Sequence, residues 1–363
     1  MISMRRCGPG HPVADPIRAP RHWLLHPLLA VLVIPACEAA TCAGPEVASM
    51  SATGAPVTTR AGEDAESVGR TDQPRRVIYS SRDLGQTWTP VDGGLPGDVQ
   101  VTFMAPWETR LLIATENHGL FIGDPTRQDW TQAGNGLPGV KITALHAEEP
   151  HLYVGVHKQG IFVSHDGGRA WGSLNRGLDE LRVRAILKVG AELVVGTDTG
   201  IFRRHDEQST WQRVFAEGQV VSLDIEGGNI VGGAVLGTVL SQDGGAHWGW
   251  IHKEGAAHNT AIIDGRILLM NKSGDLHVSA DWGSSWKALS YGPREGSYVY
   301  EVVGGGSHLV ASNNYGIHRS DDGGEHWRHV YNTEALVFSD LVAMNGVIYG
   351  GTREWRETRG KSH

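Results

Sequence analysis

The chain has 363 residues, with 32 Lys and Arg against 40 Asp and Glu and a formal net charge of −8. The two signs are interspersed, so there is no concentrated basic face, and nucleic acid is not an expected partner. The 49 glycines fit a turn-rich all-β chain, while the 3 cysteines, Cys7, Cys37 and Cys42, all precede residue 43 and leave everything after it without a disulfide or thiolate metal site.

The N-terminus carries Arg5, Arg6, Arg18 and Arg21, then the apolar stretch Trp23 to Ala36, then small residues. That order reads as an export signal spanning 1–37. Its 14 apolar-stretch residues, interrupted by His26 and Pro27, are too few for a comfortable membrane span. Ile34-Pro35-Ala36-Cys37 resembles a bacterial lipobox, in which the cysteine becomes the lipidated first residue, although Pro35 is an unusual occupant. Ordinary cleavage between Ala36 and Ala43 is the alternative. Either way the protein is expected outside the cytoplasm: at the bacterial envelope or cell surface as a lipoprotein anchored through Cys37, otherwise periplasmic or secreted. Residues 38–74 are rich in Ala, Gly, Thr, Glu and Ser and read as a disordered tether.

From residue 75 to 356 the chain repeats itself, and 357–363 form a tail. It enters at Val77 to Ser80. A full unit then reads Lys141 to His146, His151 to Val156, Gly160 to Ser164 and Ala170 to Leu174, four short strands separated by turn residues. The next repeats this as Val183 to Leu187, Glu192 to Gly196, Gly200 to Arg204 and Thr210 to Val214. Asp340 to Met344 and Gly346 to Thr352 close the chain as a first and second strand. The entering strand reads as a third, so the two ends together make one further unit. Between the third and fourth strands stands the phrase Ser-x-Asp-x-Gly-x-x-Trp, at Ser81 to Trp88, Ser164 to Trp171, Ser241 to Trp248, Ser279 to Trp286 and Ser320 to Trp327. Worn copies occur at Asp124 with Trp130 and Asp206 with Trp211. The tryptophans recur every 37 to 42 residues, the period of a propeller blade.

These phrases resemble the Asp box, and along Arg76 to Trp355 the chain resembles the Asp-box (BNR) repeat propellers, among them the photosystem II assembly and stability factors and their non-photosynthetic relatives, and the wider sortilin and sialidase group. The resemblance implies a seven-bladed β-propeller of four-stranded blades, closed by pairing of the terminal strands. It also implies that Asp83, Asp166, Asp243, Asp281 and Asp322, with Trp88, Trp171, Trp248, Trp286 and Trp327, are structural turn residues and not catalytic ones. Glycine supplies a positive φ in such a turn, and the short Asp or Ser side chain binds its backbone N–H groups.

In a propeller the second-to-third turns and the fourth-to-first loops share one face. Here that face offers Asn117, His118, His157, Lys158, Asp198, Asn271, Asn314, Tyr315 and Arg353, a polar and varied set on a rigid scaffold, where recognition usually resides. The first strands line the central channel, where Arg184, Glu301 and Asp340 break an apolar pattern. A charge there pairs with a ligand or, as the plainer expectation, with an oppositely charged group on another blade. No metal is expected, because His118, His146 and His157 come from different strands and lack a spacing such as His-x-x-x-His. No cofactor is expected either.

Sialidases and xyloglucan-cleaving enzymes share Asp boxes and propellers, so glycoside hydrolysis is the alternative to binding. It needs two carboxyls flanking the scissile bond, for which Asp198, Asp275, Glu301, Asp340 and Glu354 are the candidates. The early Arg-Ile-Pro motif of sialidases is absent, Tyr300-Glu301 matches their nucleophile pair only as letters, and the xyloglucan enzymes pair two rings where this chain has one. The favoured expectation is a monomeric, non-enzymatic propeller with a protein, peptide or glycan partner, touching membrane only through its lipid.

Overall fold

Each repeat folds as one antiparallel sheet of four strands. The computed structural model describes residues 76–253, 255–271, 274–289, 298–332 and 336–354. Cys37 and the stretches expected to be an export signal, a tether and a tail lie outside these. Among the described residues there is no helix, and the strands form seven four-stranded sheets.

The strands number β1 to β28 in chain order. Blade 1 runs from β3 (Val101–Trp107) through β4 (Arg110–Thr115) and β5 (Leu120–Gly123) to β6 (Thr131–Gln132), and each following blade takes the next four strands up to blade 6. Blade 7 is shared between the termini: β27 (Leu336–Met344) and β28 (Val347–Glu354) are followed by β1 (Ile78–Ser81) and β2 (Thr89–Pro90). Ile78 pairs with Gly351 and Tyr79 with Gly350, so neither terminal strand is left as an open edge. The seven first strands pack against one another in order, the last returning to the first, and so close the ring.

Blade 2 shows why these residues build this sheet. Its second strand, β8 (His151–Val156), is buried from Leu152 onward on both faces, because the neighbouring blades cover both sides of it. Leu152 and Val154 join Leu112 and Ala114 of blade 1 in one apolar cluster, and Tyr153 joins Val194 of blade 3 in another. Full burial of each such leucine or valine side chain contributes about 1.5–3 kcal/mol. The fourth strand shrinks to Gly172–Ser173, shorter than the Ala170 to Leu174 expected, since an outer strand has a pairing partner on one side only.

Two irregularities recur. In every blade the ladder between the first two strands skips one residue near its start, as at Thr143, Arg184, His258 and Tyr300. Each skip is a β-bulge, which re-aims side chains at the channel end of the sheet. The third strands of blades 3, 4 and 6 begin at Gly200, Gly237 and Gly316, with φ of 138°, 142° and 125°. A Cβ on Gly200 would lie 1.9 Å from the Phe215 carbonyl oxygen. Gly200→Ala is therefore expected to destabilise by about 1–3 kcal/mol or more, measured by urea unfolding. A loss within error of zero would show that this strand entry can relax.

The repeated turn is a closed hydrogen-bond unit. In the first copy Ser81 Oγ donates to Asp83 Oδ1 (2.9 Å) and accepts from Gly85 N (2.8 Å). Asp83 also accepts from Thr87 N and Oγ1, and Trp88 Nε1 donates to the Gly85 carbonyl. Asp166, Asp243, Asp281 and Asp322 repeat the pattern. His247 and His326 N–H groups hold Asp243 and Asp322 far below the usual carboxylate range. In the second worn copy Asp206 accepts from Gln208 N and Ser209 N, and Arg204, replacing the serine, donates to the Asp206 carbonyl. Some indoles reach the preceding blade instead: Trp171 Nε1 donates to Ala133 O and Trp211 Nε1 to Leu174 O. The turn thus serves as an inter-blade rivet.

Candidate functional site

The two faces of the ring are defined by which turns bond to each other. In blades 1 to 4 the second-to-third turn is tied to the loop entering the same blade: Glu116 N donates to Gln100 O, His157 N to Lys141 O, Asp198 N to Arg182 O and Val235 N to Gln219 O. On the other face the first-to-second turns meet the repeated turns, as where Gly244 N donates to Gly228 O and Gly323 N to Ser307 O. The first is the loop face, the second the turn face.

On the loop face the residues singled out in the sequence divide into braces and exposed groups. Asn117 Nδ2 donates to the Asp98 carbonyl (3.1 Å), and His118 Nε2 meets Asp98 Oδ1 at 2.8 Å. Asn314 Oδ1 accepts from Tyr298 N (2.7 Å), and Asn271 bonds Asp275 within its own turn. These side chains hold loops in place. Tyr315 is half-buried, its backbone N–H donating to Asn313 Oδ1 and its carbonyl meeting His329 Nε2. Lys158 is exposed on a left-handed residue (φ 58°) at the tip of its turn.

Blades 2 and 3 bring together a group that the sequence reading only half assembled. Asp198 accepts from Arg184 Nε (2.6 Å) and Nη2 (3.1 Å), Arg182 Nη1 (3.2 Å) and Gln219 Nε2 (2.5 Å). Burial alone would raise its pKa, but the Arg184 fork holds it below the usual carboxylate range. Half-buried His157 stands beside it. Burial first, and then Lys141, Lys158, Arg184 and Arg182, push its pKa down, so it stays neutral at pH 7. The result is a basic edge of Lys141, Lys158, Arg182 and Arg184 around Asp198, with Glu180 accepting from the Arg182 N–H. Across the ring, on blades 5 to 7, lies an aromatic group: His258 and Tyr298 centroids are 4.6 Å apart, Tyr298 and Tyr300 5.3 Å, and Arg353 lies 5.6 Å over Tyr300.

The three channel charges correct an expectation. Among the described residues none forms an inter-blade ion pair. Arg184 pairs within its own blade. Glu301 and Asp340 are 0% and 1% exposed and bind neutral groups on neighbouring blades: Asn259 Nδ2 donates to Glu301 Oε2 (3.0 Å), and Met104 N to Asp340 Oδ2 (2.5 Å). Asp224, which the sequence reading missed, does the same with Ile262 N (2.6 Å). Ser222 with Thr260, and Thr143 with the Val183 carbonyl, add further stitches between blades. Their signal was polar residues on otherwise apolar first strands. Buried His146 is neutral as well, its pKa lowered to about 3 by burial.

The turn face carries a cleft of about 670 Å³ between blades 1 and 2, lined by Trp107, Arg110, Gln132, Glu149, His165 and Arg169 among others. The Arg110 guanidinium lies 4.1 Å over the Trp107 ring. No pattern in the sequence pointed to this cleft.

No family model matches the chain, and no curated protein matches it. Solved structures do. YCF48 bound to D1 peptide is similar over 71% of this chain and 94% of its own, at 16% identity and a TM-score of 0.57. The likeness is one of fold. The extracellular domain of a one-component system from B. thetaiotaomicron is similar over 71% of this chain and 38% of its own (13% identity, TM-score 0.58). A GH74 xyloglucanase from Xanthomonas campestris is similar over 67% and 46% (19% identity, TM-score 0.50). At these identities the structural similarity shows a shared fold alone, on which binding proteins and hydrolases both occur.

Proposed function

We propose that this chain is a non-enzymatic binding propeller, exported and held at the bacterial envelope by a lipid on Cys37, whose loop face receives a protein or peptide partner. The observation that carries this reading is the composite loop face: the basic edge of Lys141, Lys158 and Arg182 beside neutral His157 and the Arg184–Asp198 fork, set across the ring from half-buried Tyr298 and Arg353, which rest on buried His258 and Tyr300. Cationic and aromatic side chains on rigid elements are what a peptide with acidic and apolar residues requires. A propeller of the same fold solved with a peptide bound supports it.

Glycoside hydrolysis has less support. It needs two accessible carboxyls, whereas Glu301 and Asp340 are walled off from any sugar, Asp198 is engaged by two arginines and Asp275 is tied into its turn.

The test is an affinity capture from envelope extract with the full chain, beside a His157→Ala, Lys158→Glu variant. The variant is expected to lose the captured partner while its melting temperature stays within about 2 °C, because Lys158 is exposed and His157 is half-buried on a surface turn, outside the apolar clusters. Retention of the same partner would overturn the assignment of the face, and release of reducing sugar from a polysaccharide panel would establish the hydrolase reading instead. Fatty-acid labelling of cells is expected to mark the wild-type protein and not Cys37→Ala. Equal labelling would remove the anchor.

A further inference from the structure

We propose that His151, His165 and Glu207 form a binding site for a divalent transition-metal ion of the zinc class, bridging blades 2 and 3 on the turn face. His151 opens the second strand of blade 2, His165 is the variable residue of the Ser164-His165-Asp166 turn, and Glu207 follows Asp206 in the corresponding turn of blade 3. One ligand atom from each lies within 4.8 Å of the others.

The spacing fits one ion. His165 Nε2 and Glu207 Oε2 are 3.3 Å apart, and two ligands each about 2.1 Å from a tetrahedral ion stand roughly 3.4 Å from one another. The imidazoles of His151 and His165 meet edge to face with centroids 4.8 Å apart, and His151 stacks at 24° on buried Tyr153, which orients its ring. Side-chain exposures of 52% for His165 and 34% for Glu207 let an ion enter from water and keep a water ligand. Two imidazoles and one carboxylate suit zinc or its neighbours, whereas calcium and magnesium favour all-oxygen sets.

The neighbouring blade shows how the same positions behave without this donor set. There Glu192 replaces His151 and His205 replaces His165, and the two meet directly, His205 Nδ1 lying 2.9 Å from Glu192 Oε1. In blade 2 both positions are histidine, which cannot neutralise each other, and the carboxylate arrives from the adjoining blade. The nearby Arg204 does not take Glu207 out of play, because its Nε and Nη1 donate to the Asp206 and Leu174 carbonyls. The site is independent of the loop-face reading, since it lies on the opposite face.

The experiment titrates cobalt(II) chloride into the full chain with its cysteines alkylated, follows the visible d–d band, and displaces it with zinc chloride. One cobalt per chain, displaced by zinc, is expected. His151→Ala, His165→Ala and Glu207→Gln are each expected to weaken binding at least about tenfold, and His205→Ala by less than about twofold. Glu207→Gln preserves side-chain size, so its loss of binding is not a folding defect. Absence of the band in the wild type, or unchanged affinity in the three variants, would overturn the site.

Discussion

Trp88→Ala is expected to lower unfolding free energy by about 3–5 kcal/mol, the range for removing a buried indole. Trp88 is 8% exposed and packs on Phe338 at 4.8 Å and Tyr331 at 6.2 Å, with Phe338 in turn 5.6 Å from Tyr79. Tyr79 and Trp88 of the N-terminal part of blade 7 thus meet Phe338 of its C-terminal part, with Tyr331 added from the outer strand of blade 6, so the cavity would open where the ring is closed non-covalently. The indole also donates to Gly85 O, so its loss leaves the turn carbonyl unpaired. Trp171→Ala, at a half-buried position between blades 1 and 2, should cost less, because part of its surface is already in water. Denaturant titration of both variants checks the order. Comparable small losses would show that closure does not depend on this cluster.

Raising the pH from about 5 to 9 is expected to destabilise the protein, and Asp340→Asn is expected to reduce that decline. Burial raises the pKa of Asp224 to about 7 and that of Asp340 well above the usual range, and burial followed by the charge of Asp340 does the same to Glu301. An acid that holds its proton more tightly when folded stabilises fully below its unfolded pKa, here 3.8 to 4.5, and loses that contribution as pH rises through the folded value. The window therefore runs upward from about pH 4, through about 7 for Asp224, and higher for the Glu301–Asp340 pair. The turn aspartates have the opposite sign: Asp243 and Asp322, with depressed pKa values, lose their contribution only on strong acidification. The Asp340→Asn side chain keeps an amide oxygen as acceptor for Met104 N and removes the charge facing Glu301, which should gain on the order of 1–3 kcal/mol at pH 8. Urea unfolding at pH 5, 7 and 9 reads the slope directly. Identical slopes in wild type and variant would mean the buried carboxyls are not the source.

How much of this was legible beforehand depended on the range over which each feature is encoded. The repeated turn lies within eight residues, and its serine, aspartate, glycine and tryptophan bond mainly to one another, so the phrase announces its own geometry wherever it occurs. Its period set the blade count, and the reading of the end strands as third, first and second set the closure, as the pairing of Ile78 with Gly351 bears out. The loop-face turns could be placed because strand order alone puts second-to-third turns beside fourth-to-first loops. Individual contacts there were not readable. The Arg184 fork onto Asp198 was missed as a pair because it joins a bulged first-strand residue to a turn 14 positions away, and the bulge re-aims the side chain.

By itself, then, the sequence determined the architecture: all-β, seven blades, a ring closed by its own ends. Only the tertiary structure decided which distant residues meet across the gaps between blades. Asp224 with Ile262, Asn259 with Glu301, and His165 with Glu207 lie 38 to 42 residues apart, about one blade. The physical reason is that local hydrogen bonding repeats with the chain, whereas a contact between blades depends on how one twisted sheet is rotated against the next, and no short stretch of residues specifies that rotation.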